Sequence, residues 1–178
     1  MLKPASLRAA LTAAVPHLQK NPQALHIYIE DGSVRSTMAG GLSFEYSYTL
    51  TATLTDYADH ADLLIAPIIA WLRWQQPEML LNPDLMRDGF AFEVDLLDHK
   101  KCDIQIKLKL TERVRVSQDQ AAPPVNHTSL PAPGMLATIT HLEEPTLDPL
   151  AFVERWELYI GGKKVQEWDT RPLDTPIP

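Results

Sequence analysis

The sequence predicts an α+β fold: an antiparallel or mixed sheet with two helices packed on one face, followed by a proline-rich arm that carries a β-hairpin. Three observations lead there. Several segments alternate strictly between apolar and polar residues, and short turn-like stretches join them, as in hairpins. Two segments carry helical spacing instead. Composition also changes near residue 117, because residues 1–116 hold 6 of the 15 prolines and the remaining 62 residues hold 9. The expected organisation is a core domain over 1–116, a proline-rich linker over 117–134, and a C-terminal extension with its hairpin over 135–178.

The first helix is expected over residues 5–18. Leu7, Leu11, Val15 and Leu18 share one face, Pro4 fits the first turn, and Asn21-Pro22 stops the helix. Residues 1–20 carry Lys3, Arg8 and Lys20, and no acid comes before Glu30, which is also the composition of a transit peptide. The regular apolar face argues for a helix of the domain. A hairpin is expected over 25–38, turning at Asp31-Gly32, with Ile29 opposite Val34 and Leu25 opposite Met38. A long strand follows. Phe44, Tyr46, Tyr48, Leu50, Ala52 and Leu54 point one way, and Glu45, Ser47, Thr49, Thr51, Thr53 and Thr55 the other.

Residues 59–75 read as the second helix, with Asp59 as N-cap and Asp62 complementing the dipole. Pro67 removes an N–H inside it and is expected to kink it. This helix is apolar on most sides, so it should be sandwiched between the sheet and a further element or a neighbouring subunit. Strands are expected at 90–97 and 102–116, joined through 98–101. On the second, Ile104, Ile106, Leu108, Leu110, Val114 and Val116 share one face. In the extension, RWELYIGGKKVQEW reads as a hairpin turning at Gly161-Gly162. An isolated hairpin is marginal in water, so it must dock, and Trp156, Leu158, Tyr159, Ile160, Val165 and Trp168 are the candidate docking residues.

Composition excludes several functions. With 16 cations against 23 anions the net charge is −7, which disfavours general nucleic-acid binding by the whole chain. The longest apolar run, LLIAPIIAWL, is 10 residues, half of the roughly 20 that a membrane span needs. A single cysteine, Cys102, allows no internal disulfide and points to a reducing compartment. There is no phosphate-binding glycine loop and no nucleophile elbow, and no cofactor is expected. Cys102 lies between Lys101 and Asp103 with no base implied, and reads as a bystander thiol. Asp56, Asp59, His60 and Asp62 cluster at a strand-to-helix junction. They offer either ligands for a divalent cation in a small hydrolase or helix-capping acids, the commoner use of such residues.

One polar feature stands out. Lys107, Lys109, Arg113 and Arg115 project from the same face of one strand. They form either a solvated sheet face or a positive strip for an acidic partner or phosphates, the latter in a nucleic-acid-binding module.

The opening MLKPASLRAALTAAVPHLQKNPQALHIYIEDG resembles the start of the tail completion protein R family of P2-type contractile-tailed phages. The resemblance continues through LSFEYSYTLT, HADLLIAPIIAWLRWQQPEML and NPDLMRDGFAFEVDLLD to IQIKLKLTERVRV. It covers residues 1–116 and weakens beyond 117. It implies a structural virion protein without enzymatic activity, assembled in the bacterial cytoplasm and placed at the head-proximal end of the tail. By analogy with small α+β proteins of other tailed phages, it implies a tail-terminator-like ring, a homohexamer, that stops growth of tube and sheath. Its partners would be its own copies, the tube and sheath proteins and the neck or head-completion proteins, with genomic DNA only passing through the lumen and no membrane contact. A head-to-tail joining protein without length termination, and the same protein in a headless tail-like bacteriocin, stay open.

Overall fold

The computed structural model describes residues 1–36, 42–97, 101–119, 136–143 and 155–169. The chain begins with helix α1 (Lys3–Ala14), a short α2 (Pro16–Lys20) and a single 3-10 turn (Pro22–Ala24). Strands β1 (Leu25–Ser36) and β2 (Phe44–Tyr57) follow, then helices α3 (Asp62–Gln75), α4 (Pro77–Leu81) and α5 (Pro83–Gly89). Strands β3 (Phe90–Leu96), β4 (Cys102–Asp119) and β5 (Leu136–His141) complete the main sheet, and β6 (Arg155–Ile160) with β7 (Lys163–Asp169) forms a separate hairpin. The fold is α+β, and every strand pair is antiparallel. The sheet order is β1-β2-β4-β3, with β5 pairing on β4 as well.

Period-2 alternation builds the core as expected. Leu50, Ala52 and Leu54 of β2 face Leu108, Ile106 and Ile104 of β4, all essentially inaccessible. Leu7, Leu11, Val15 and Leu18 cover this face together with Leu64, Ile68 and Leu72 of α3. The first segment is thus a packed part of the core, but it is not one helix. Pro16 has no N–H to continue α1, so the chain breaks at Val15 and restarts with Pro16 in the first turn of α2.

Residues 25–36 are one strand rather than two strands of a hairpin. Leu25 pairs with Leu54, Ile29 with Leu50 and Val34 with Tyr46, while Met38 lies outside the described residues. Asp31 adopts φ 52°, but it makes a β-bulge: the register shifts between Glu30 and Ser33, so two residues face one. The left-handed residue that would turn a hairpin here only accentuates the strand's twist. A second bulge, at Asp56 with φ 55°, brings Tyr57 onto the buried face. Helix α3 starts at Asp62 after an Ala61 N-cap, so Asp59 is not its cap.

β3 and β5 lie end to end along one edge of β4, and among the described residues the backbone between Leu108 and Arg113 has no strand partner on that side. Side chains fill the gap. Gln76 Oε1 accepts from Thr111 N–H (3.2 Å), and Lys3 Nζ donates to Thr111 C=O (2.7 Å) and to Gln76 Oε1 (2.6 Å). This is why Lys3 and Gln76 are buried. Beside them, Glu112 occupies a core-facing position of β4. Its carboxylate accepts from Leu2 N–H (2.7 Å), Lys3 N–H (3.3 Å) and the Tyr48 hydroxyl. Helix α1 has no cap from its own N-cap residue, so Glu112 serves that end.

Burial, then the hydrogen bond and charge of Glu112, push the Tyr48 phenol well above its usual range. Burial foremost does the same for Tyr57. Both groups must be neutral in the folded state but ionise near 10 when unfolded. Their contribution to stability is therefore complete below pH 10 and shrinks as pH rises past it. Denaturant unfolding between about pH 9 and 11.5 should show falling stability, with a shallower slope in Tyr48→Phe.

Candidate interaction surfaces

The sheet face away from the helices is polar. Lys107, Lys109, Arg113 and Arg115 project from it, and β2 presents Glu45, Ser47, Thr49, Thr51 and Thr53 opposite or beside them. The row is not uniformly free charge. Lys107 Nζ lies 3.8 Å from Glu93, and Arg113 stands opposite Glu45, itself opposite Arg35. Lys109 and Arg115 are exposed. The Thr51 hydroxyl donates to Glu30 across to β1 (2.8 Å), which ties down the middle of the face.

The edge strand β3 breaks the usual economy of burial. Phe92 and Val94 pair with Ile106 and Ile104 and so lie on the core side of the sheet. Nevertheless, Phe92 is 63% exposed, Val94 40% and Leu96 82%, and on neighbouring α5 Leu85 and Met86 are exposed too. Among the described residues the covering helices stop short of this edge and β3 pairs only with β4, leaving an apolar strip beside an open strand edge.

The C-terminal hairpin docks on the outer side of the helices. Gly161 and Gly162 both have positive φ (57° and 78°), the type I′ geometry that Gly-Gly permits. Trp156 and Trp168 pair across the strands and stack, with ring centroids 6.4 Å apart. Together with Leu158 they pack on Ala14 of α1 and on Ala66 and Ala70 of α3. Val165 is half-buried at a bulge, whereas Tyr159 and Ile160 are exposed. A residue absent from the sequence-based docking set sits at the centre. Gln166 is buried, and its Nε2 donates to Ala14 C=O (2.6 Å) and Leu63 C=O (3.1 Å). Leu63 is four residues before Pro67, so its carbonyl is the one that Pro67 leaves unbonded in α3. Ala14 ends α1, where carbonyls also lack helical partners. One amide thus serves both orphans, and α3 runs through Pro67.

The solvent face of the hairpin carries a charge cluster. Lys164 lies 3.3 Å from Glu157 and 2.8 Å from Glu167, Arg155 lies 2.9 Å from Glu167, and the Tyr159 hydroxyl donates to Glu157. Hydrogen bonds from Tyr159 and Lys164 lower the Glu157 pKa, and a hydrogen bond from Lys164 lowers that of Glu167. A lowered carboxylate stabilises the fold above its ordinary value of 4.5 and loses that contribution as pH falls through its folded value. Acidification below about pH 4.5 should therefore loosen the hairpin modestly, read as a change in tryptophan emission, and Lys164→Ala should reduce that response.

Asp56, Asp59, His60 and Asp62 do not assemble into a metal centre. His60 Nδ1 lies 3.2 Å from Asp62 alone, and Asp56 pairs with Lys101 at 3.0 Å. Among the described residues no group of three or more histidine, cysteine or acidic side chains is placed to hold a metal. The half-buried Cys102 thiol donates to Tyr57 C=O at 3.5 Å. Among the described residues no helix is long and apolar enough to cross a membrane.

A family model described as P2 phage tail completion protein R (GpR) matches residues 1–133. The chain belongs to this family. It is a structural tail protein of a P2-like phage and a component of the virion. The tail completion protein R of Escherichia phage P2 is 43% identical over 169 residues, covering 95% of this chain and 99% of the P2 protein. The likeness therefore does not end near residue 116: it takes in the proline-rich stretch and most of the extension. No solved structure matches the chain.

Proposed function

We propose that the protein closes the head-proximal end of the tail as a ring, a hexamer by analogy, that stops growth of tube and sheath and presents the docking surface for the neck. The observation that carries this reading is the uncovered apolar strip of β3, where Phe92, Val94 and Leu96 stay exposed on the core side of the sheet. A tail protein whose sheet ends this way has surface to bury against another chain in an assembly. Edge placement suits contacts that repeat from copy to copy and close.

The test is electron microscopy of lysates in which this gene alone is disrupted, scoring tube and sheath length and head attachment. Overlong tails are the expected result. Tails of normal length that lack heads would make the protein a joint without a terminating role. Normal, infectious particles would overturn both readings.

A further inference from the structure

We propose that the ring is held by one repeated contact, in which the acidic, apolar edge of one copy seats in an arginine-walled groove of the next. The inference rests on the ring reading above and names its interface.

The groove, about 370 Å³, lies at the far end of β4. Arg35, Arg113 and Arg115 contribute its charge, and Phe44, Val114 and Leu142 its apolar lining. Glu45 also lines it, so three guanidinium groups stand against one carboxylate and the groove stays positive. The β3 edge has the complementary make-up. Alternation puts Phe92, Val94 and Leu96 on one side and Glu93 and Asp95 on the other. The adjoining α5 adds Asp84 and Asp88 against Arg87 alone. An edge with an apolar side and an acidic side thus meets a groove lined by apolar and basic groups.

The two surfaces are far apart on one copy. β3 pairs with Cys102–Leu108 of β4, whereas Val114 in the groove lies about 30 Å along β4 from the middle of that stretch, at roughly 3.3 Å per residue. They cannot meet within one chain. A contact between different patches of two copies is heterologous, and it closes into a ring or runs on as a filament. Charge complementarity fixes which edge pairs with which groove. Among the described residues β3 pairs only with β4, so its outer backbone groups can also bond to the incoming copy.

The experiment is sedimentation velocity on the full chain with charge reversals at exposed positions. R35E/R115E makes the groove acidic, and E93K/D95K makes the edge basic. Each double variant should sediment as a monomer while keeping the wild-type melting temperature. The chain carrying all four changes should assemble again, and an equimolar mixture of the two double variants should form even-membered rings. Should either reversal fail to fold, R115Q and D95N provide the milder pair, each expected to weaken assembly at least tenfold. A wild-type chain that stays monomeric overturns the ring reading and this interface together. Wild-type assembly that survives either reversal overturns the interface alone, and so does failure of the four-change chain to reassemble. A groove that serves nucleic acid instead would show salt-sensitive DNA binding lost in R35E/R115E, with no rescue of assembly by E93K/D95K.

Discussion

Glu112→Ala should destabilise the chain by about 3–5 kcal/mol, because several donors lose their acceptor at about 1–3 kcal/mol each. Glu112 is 4% exposed. Its removal strands two backbone N–H groups at the start of α1 and the Tyr48 hydroxyl, and leaves His141, whose Nδ1 lies 3.3 Å away, without its acid. It also removes the negative charge that complements the positive end of the α1 dipole. Glu112→Gln keeps the shape and one acceptor oxygen but loses the charge, so it should recover only part of the loss. Tyr48→Phe, which deletes a single bond to the carboxylate, should cost about 1.5–3 kcal/mol. Urea unfolding of the three variants gives the order directly. A loss below about 1 kcal/mol in Glu112→Ala would mean that the carboxylate is incidental to holding α1 on the sheet.

The same residue shows what the sequence could and could not disclose. Alternation placed β2, β3 and β4 and named the buried faces of β2 and β4, because a strand with one covered face must repeat every two residues. Glu112 was legible as an anomaly, a carboxylate in phase with Leu110 and Val114, but its partners come from the far end of the chain. Asp31-Gly32 was misread because a left-handed residue serves a bulge as readily as a turn, and the choice depends on the partner strand. The short helices α4 and α5 carry too few residues for a periodic signal, although Pro77 and Pro83 mark their first turns. The uncovered strip on β3 was invisible for a different reason. Alternation marks which side of a strand is apolar, not how far the covering helices reach.

Gln166→Leu should cost about 2–4 kcal/mol, most of it through detachment of the hairpin, because two buried carbonyls lose their donor and each such loss costs about 1–3 kcal/mol. Size is nearly conserved, so packing beside Trp156 and Trp168 changes little. Gln166 is coupled to Pro67 through Leu63 C=O. In Pro67→Ala, residue 67 regains an N–H that can bond to Leu63 C=O within α3, and Gln166 is then needed only by Ala14. Gln166→Leu should therefore cost less in the Pro67→Ala background, by about 1 kcal/mol, the net worth of one hydrogen bond. Equal costs in both backgrounds would mean that Gln166 does not compensate for the proline. Hydrogen exchange separates local from global effects: without Gln166 the amides of β6 and β7 should exchange faster while those of β2 and β4 stay protected. The proline inside α3 then has a positive role. It frees a carbonyl in the first turn of α3 and gives the hairpin a second polar anchor beside Ala14 C=O, on a surface whose other contacts are apolar.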